Sequence, residues 1–155
     1  MRANTLLITA LVLGLFQITF LENFKVFGVK PDLLLLTVVI AGLFWETRAA
    51  VIFGIAIGIL KDIFSLNTFG LDILLFGLWA FLTVKISREV SIEDNLTRGL
   101  LVFIIALMQN IAVGLSGGLS GSFIPFGIFL RLVFLSALYT ALPLPLILKI
   151  TKTRI

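Results

Sequence analysis

The chain has 155 residues, of which 60% are hydrophobic and only 13% charged, with a mean hydropathy of +1.21; soluble domains run about 45–50% apolar and about 25% charged, so too little polar surface is present to face water on all sides. Cys and His are both absent, which excludes disulfides, Cys/His metal sites and the usual general base of nucleophilic catalysis. The net charge of +4 comes from singly scattered Lys and Arg, which excludes a nucleic-acid platform and fits the cation excess on the cytoplasmic side of membrane proteins.

Thr5 to Leu21 is an uncharged run behind Arg2. A helix crossing a bilayer core of about 30 Å needs about 20 residues at 1.5 Å each. The run has no small-residue cleavage site before Glu22 and Lys25, so it reads as an uncleaved first span over about 5–22. Lys30-Pro31-Asp32 opens the second span, about 31–46. Pro31 suits the first turn of a helix, Asp32 complements the positive helix end, and Trp45 suits an interfacial anchor.

Glu46-Thr47-Arg48 is a tight charged connection to a third span, about 48–65, which carries Lys61 and Asp62 with it. Ser65 to Gly70 reads as a turn and about 70–87 as the fourth span. Lys85 to Arg98 is the most polar stretch and reads as a water-exposed loop, in part helical along the surface. Gly99 to Leu130 then carries no charge. Ser116 to Ser122 breaks it into a fifth span, about 97–115, and a sixth, about 126–149, which contains Arg131, Pro143 and Pro145.

With a cytoplasmic N-terminus and six spans, Arg2, Arg48, Lys85, Arg88, Arg98, Lys149, Lys152 and Arg154 fall inside, and Lys25, Lys30, Lys61 and Arg131 outside. Eight against four places both termini in the cytoplasm. The two short runs, Leu33–Trp45 and Ala49–Leu60, leave open a hairpin that does not fully cross. The expected fold is therefore an all-α polytopic membrane bundle of about six transmembrane helices in a single domain.

Ala50, Gly54, Gly58 and Asp62 recur every four residues and share one helix face. Small residues so spaced let a second helix approach closely. The stripe serves packing inside the bundle or, alternatively, a partner interface. An acid within a span costs roughly 2.5–3.5 kcal/mol at the membrane centre, so Asp62 needs a partner. Adjacent Lys61 points about 100° away on a helix. A tie to Arg131 or to backbone N–H groups is expected, with a proton or cation site as the functional alternative. Gln109 and Asn110 suit interhelical hydrogen bonds. No nucleophile–base set, phosphate loop, catalytic residue or cofactor site is visible.

Pro31-Asp32-Leu33-Leu34-Leu35-Leu36, Gly42-Leu43-Phe44, Arg48, then Phe53-Gly54-Ile55-Ala56-Ile57-Gly58-Ile59-Leu60-Lys61-Asp62-Ile63-Phe64-Ser65 and Phe69-Gly70-Leu71, in that order, resemble the MreD family of bacterial rod shape-determining membrane proteins. The resemblance covers about 31–84; where that family commonly has Pro-Leu-Gly, this chain has Thr68-Phe69-Gly70. It implies a non-enzymatic scaffold of cell-wall elongation in the bacterial cytoplasmic membrane. The implied partners are MreC directly and, through it, MreB, RodA and a class B penicillin-binding transpeptidase. The family also looks like the six-helix substrate-binding subunits of energy-coupling-factor vitamin transporters, which supplies the alternative function. Pro31, Asp32, Arg48, Ala50, Gly54, Gly58, Asp62, Gly70 and Arg131 are the candidate structural or partner-interface residues.

Overall fold

The computed structural model describes residues 3–20, 23, 28–64 and 70–152, and its elements there are all α-helices. Their order is α1 Ala3–Thr19, α2 Leu33–Phe44, α3 Thr47–Phe64, α4 Leu71–Glu89, α5 Asn95–Leu119, α6 Phe126–Ala141 and α7 Leu144–Lys152. Arg2, Glu22, Lys25, residues 65–69 (with the Thr68-Phe69 of the resemblance) and Arg154 lie outside the described residues.

The packing is that of an inverted globule. Every residue of α2 from Leu33 to Gly42 is buried, because α2 sits in the middle with α1, α3, α4, α5 and α6 around it. A helix apolar on all sides, as α2 is, belongs in such a position. The outward faces of the surrounding helices are also apolar. Ile8, Val12, Leu15, Ile52, Ile63, Leu74, Ile104 and Phe134 are each more than half exposed. The polar side chains Gln17, Asp62, Asp72 and Gln109 are buried instead. That arrangement suits a hydrocarbon solvent and is costly in water. Asn95–Leu119 and Phe126–Ile150 are each long and apolar enough to cross a membrane.

α3 and α4 form the most extensive helix pair. A Cβ on Gly54 would lie 2.6 Å from the Phe76 carbonyl oxygen, and one on Gly58 2.6 Å from Ile73 Cα. The small-residue stripe thus lies against α4, with Ala50 fully buried at its start. Gly42 does the same for α2 against Thr83 of α4, and Gly114 for α5 against the Phe129 ring of α6.

Several expected boundaries move. Pro31 is not in the first turn of α2: Asp32 is the N-cap, so Pro31 precedes it. The polar stretch 85–98 is not a loop throughout. α4 runs to Glu89 and α5 starts at Asn95, leaving a short connection at 90–94, since Lys85 and Arg88 extend a helix as well as they solvate a loop. The small-residue turn also starts later. Ser116, Gly117 and Gly118 stay helical, and the chain reverses after Leu119 with Gly121 at φ +91°. A glycine lowers helix propensity by only about 1 kcal/mol, too little to stop a helix already running from Asn95. The sixth span is two helices. Pro143 and Pro145 have no N–H to offer the carbonyls of Tyr139 and Ala141, so the helix breaks at Leu142-Pro143 between α6 and α7.

Candidate functional site

The four-residue reach of a helix N-terminus leaves N–H groups that need acceptors, and in a dry interior those must be protein atoms. The start of α2 is capped in that way. Asp32 Oδ1 accepts from Leu35 N–H at 3.0 Å. Gln17 Oε1, from the end of α1, accepts from Leu33 N–H at 2.9 Å and Leu34 N–H at 3.2 Å. The Asp32 N–H itself donates to Thr140 Oγ1 of α6 at 3.0 Å.

Lys61 lies in the last turn of α3, where a cation complements the helix dipole. Its Nζ donates to Asp32 Oδ2 at 2.6 Å and stands 3.3 Å from Asp72 Oδ1. It also lies 4.7 Å over the Phe76 ring, a cation–π contact. Asp72 is in the first turn of α4 and buried. Gln109 Nε2 of α5 donates to Asp72 Oδ1 at 2.6 Å, and Gln109 Oε1 accepts from Trp79 Nε1 at 2.6 Å. One connected polar layer, Asp32–Lys61–Asp72–Gln109–Trp79, therefore ties together α2, α3, α4 and α5.

Asp62 is separate from that layer. Its Oδ2 accepts from Gly70 N–H at 2.9 Å and Ile73 N–H at 3.2 Å, so it caps α4 from the end of α3. Gly70 has φ +94°, a conformation that favours glycine. Asp62 Oδ1 is buried without a hydrogen-bond partner. The expected tie to Arg131 is absent. Arg131 is exposed on α6 and forms no ion pair among the described residues. Of the two ties expected for Asp62, the backbone one is present. Arg48 is likewise exposed, at the first turn of α3 on the opposite end of the bundle.

The candidate residues thus split. Asp32, Gly58, Asp62 and Gly70 gather at one end of α2, α3 and α4, Pro31 beside them. Ala50 and Gly54 lie along the α3–α4 seam, and Arg48 and Arg131 stand apart. Sequence reasoning gave Gln109 an interhelical role but missed the pairing of Lys61 with Asp32 and Asp72, and the capping by Gln17. One signal was available: in antiparallel spans, residues opening the second and fourth and closing the third must meet at one end.

The layer gathers at the ends of α2, α3 and α4 and meets α5 near its middle. Gln109 lies 109 − 98 = 11 residues beyond Arg98, about 16 Å along α5, and 119 − 109 = 10 residues, about 15 Å, short of the helix end at Leu119. Arg98 in turn rests over the Phe44 ring at the far end of α2. A cavity of about 320 Å³ opens beside the layer. Asp32, Lys61, Gln17, Asn110 and Ser136 give it polar groups, and Val113, Phe129 and Val133 an apolar wall. Among the described residues no three Asp or Glu side chains are grouped to hold a metal ion. The arrangement can fix helix positions and offer a half-polar cleft. It contains no nucleophile–base pair.

A family model described as rod shape-determining protein MreD matches residues 2–151 of this chain. No curated protein and no solved structure matches it.

Proposed function

The chain belongs to the MreD family of rod shape-determining membrane proteins, and from that premise we propose that it is a multi-pass scaffold of the cell-wall elongation machinery that holds MreC. Through MreC it joins MreB, RodA and a class B penicillin-binding transpeptidase, and so helps organise peptidoglycan synthesis. It does so without chemistry of its own.

The observation that carries this reading is the buried layer of Asp32, Lys61, Asp72 and Gln109. Lys61 bridges its two carboxylates, and its atoms are committed to holding helices in register. Such a layer favours one arrangement of the bundle over alternatives, which is what a scaffold for another membrane segment requires. The outward faces are apolar and suited to helix contact in lipid.

In this reading the first five helices and the kinked α6–α7 pair make six crossings of the cytoplasmic membrane, over about 5–22, 31–46, 48–65, 70–87, 97–115 and 126–149. Both termini face the cytoplasm with Arg48, Lys85, Arg88 and Arg98. α5 from Gly99 to Leu119 covers about 31 Å, close to the hydrocarbon thickness. The polar layer then lies toward the outer ends of the second, third and fourth crossings.

The test is co-purification. A tagged chain extracted in mild detergent from cells that also make MreC retains MreC in stoichiometric amount. Recovery of the folded chain without MreC contradicts the scaffold reading.

A further inference from the structure

We propose that the cavity beside the polar layer is a binding site for an uncharged group bearing carbonyl or amide functions on an apolar body, held by Gln17 and Asn110. Its volume of about 320 Å³ lies within the range of about 300–1,000 Å³ common for ligand pockets.

Gln17 is only 7% exposed, and its Oε1 is committed to the Leu33 and Leu34 N–H groups. Its amide nitrogen has no partner among the described residues, yet Gln17 lines the cavity. Asn110, one position past Gln109 on α5, lines it as well, and its whole carboxamide is without a partner among the described residues. Both amides therefore keep hydrogen-bonding capacity open to the cavity, Asn110 from a half-buried position, and a ligand carbonyl or amide would take it up. Ser136 adds a hydroxyl whose bond to the Lys30 carbonyl is long, at 3.4 Å.

The charges point the same way. Lys61 is already matched by Asp32 and Asp72, and Lys30 on the wall is itself engaged. An anionic ligand would meet a layer with one carboxylate in surplus over its single cation, and a cation would find both Asp32 oxygens already taken by Lys61 Nζ and the Leu35 N–H; the carboxamides are what the cavity offers. The remaining wall is Val113, Phe129, Leu132 and Val133. A larger apolar groove of about 690 Å³ shares Val113, Gly114 and Phe129 with this cavity and runs on along α5 and α6. It gives room to an acyl chain or to the body of a small amphiphile. The shared chemistry has two sources, the ester carbonyls of a lipid or a water-soluble amide.

The experiment uses the full chain in phosphatidylcholine nanodiscs, with tritiated N-acetyl-L-leucinamide and dioleoylglycerol as probes. One molecule is expected to bind per chain, saturably. Asn110→Leu and Val133→Trp, which leave the ion layer alone, weaken that binding at least tenfold without lowering the melting temperature. N-acetyl-L-leucine, which carries a carboxylate, binds at least tenfold more weakly than the amide. Displacement of the amide by dioleoylglycerol with the same dependence on Asn110 and Val133 assigns the site to a lipid; binding of the amide alone assigns it to a soluble ligand. Absence of saturable binding by both probes overturns the proposal. So does binding unmoved by both variants, or equal binding of the carboxylate. Retention of MreC is read separately on the same variants and is expected to persist, so failure of this site and failure of the scaffold reading are distinguishable.

Discussion

At the scale of single residues, Lys61 matters most. It is the one cation between Asp32 and Asp72, at 2.6 and 3.3 Å. Removing one member of a buried ion cluster leaves the others without counter-charge and typically costs about 3–5 kcal/mol. Lys61→Met is expected to lower the unfolding midpoint of the purified protein by that order, whereas Arg131→Gln is expected to leave it unchanged, because Arg131 is exposed and unpaired among the described residues. Thermal unfolding in nanodiscs checks both; equal losses in the two variants would count against the layer as drawn. The adjacent Asp62 shows the limit of sequence reading at this scale. Its need for a partner was legible from the cost of an acid in a span. Its actual partners, the Gly70 and Ile73 N–H groups, depend on how α4 starts, and no pattern of residue types encodes that.

At the scale of elements, the α3–α4 seam is the tightest feature. Gly54 and Gly58 meet backbone atoms of α4, which cannot give way as a side-chain tip can. Gly58→Ala is expected to push the two helices apart and cost about 1–3 kcal/mol. Gly99 stands on α5 with nothing within 4 Å of an added Cβ. Gly99→Ala is expected to stabilise by about 0.5–1 kcal/mol, through the entropy of the unfolded chain. Chemical denaturation in mixed micelles separates the two, and the same sign for both would contradict the packing. Which elements exist was readable, because runs of apolar residues between charges survive any local ambiguity. Where they end was less so. The fourth helix runs two residues past its expected end, to Glu89, and the Ser/Gly stretch at 116–118, expected as a turn, is helical. Lys85 and Arg88 extend a helix as readily as they solvate a loop, and a glycine lowers helix propensity by only about 1 kcal/mol, so neither stretch stops the helix it continues. Conversely, Pro143 was visible in the sequence, but its effect of splitting the last span into α6 and α7 was not drawn from it.

At the scale of the whole molecule, the inverted distribution of polarity and the family match across residues 2–151 agree on a membrane protein of the shape-determining system. The proposed topology sends residues 90–94 inside and 120–122 outside. Because the chain has no Cys, single cysteines at Ser91 and Ser120 report without background. In intact spheroplasts an impermeant maleimide is expected to label the Ser120→Cys variant and not the Ser91→Cys variant; the reverse pattern would invert the bundle. The polar layer joins these scales, since four residues from different helices fix the arrangement of α2 to α5.

Whether that layer acts by structure alone is answered most directly by neutralising it. The triple variant Asp32→Asn, Lys61→Gln, Asp72→Asn keeps side chains of similar size able to hydrogen-bond one another and Gln109, while removing every charge from the layer. Replacing the ion cluster as a set leaves no uncompensated charge behind, unlike removal of one member. The measurement is cell shape in a strain whose only copy of this protein is the triple variant, with its folded level in the membrane quantified. Rods are expected from the triple variant, alongside round cells for Lys61→Met. Round cells from a triple variant that is folded and present at the normal level would contradict it, because the charges themselves would then carry the function.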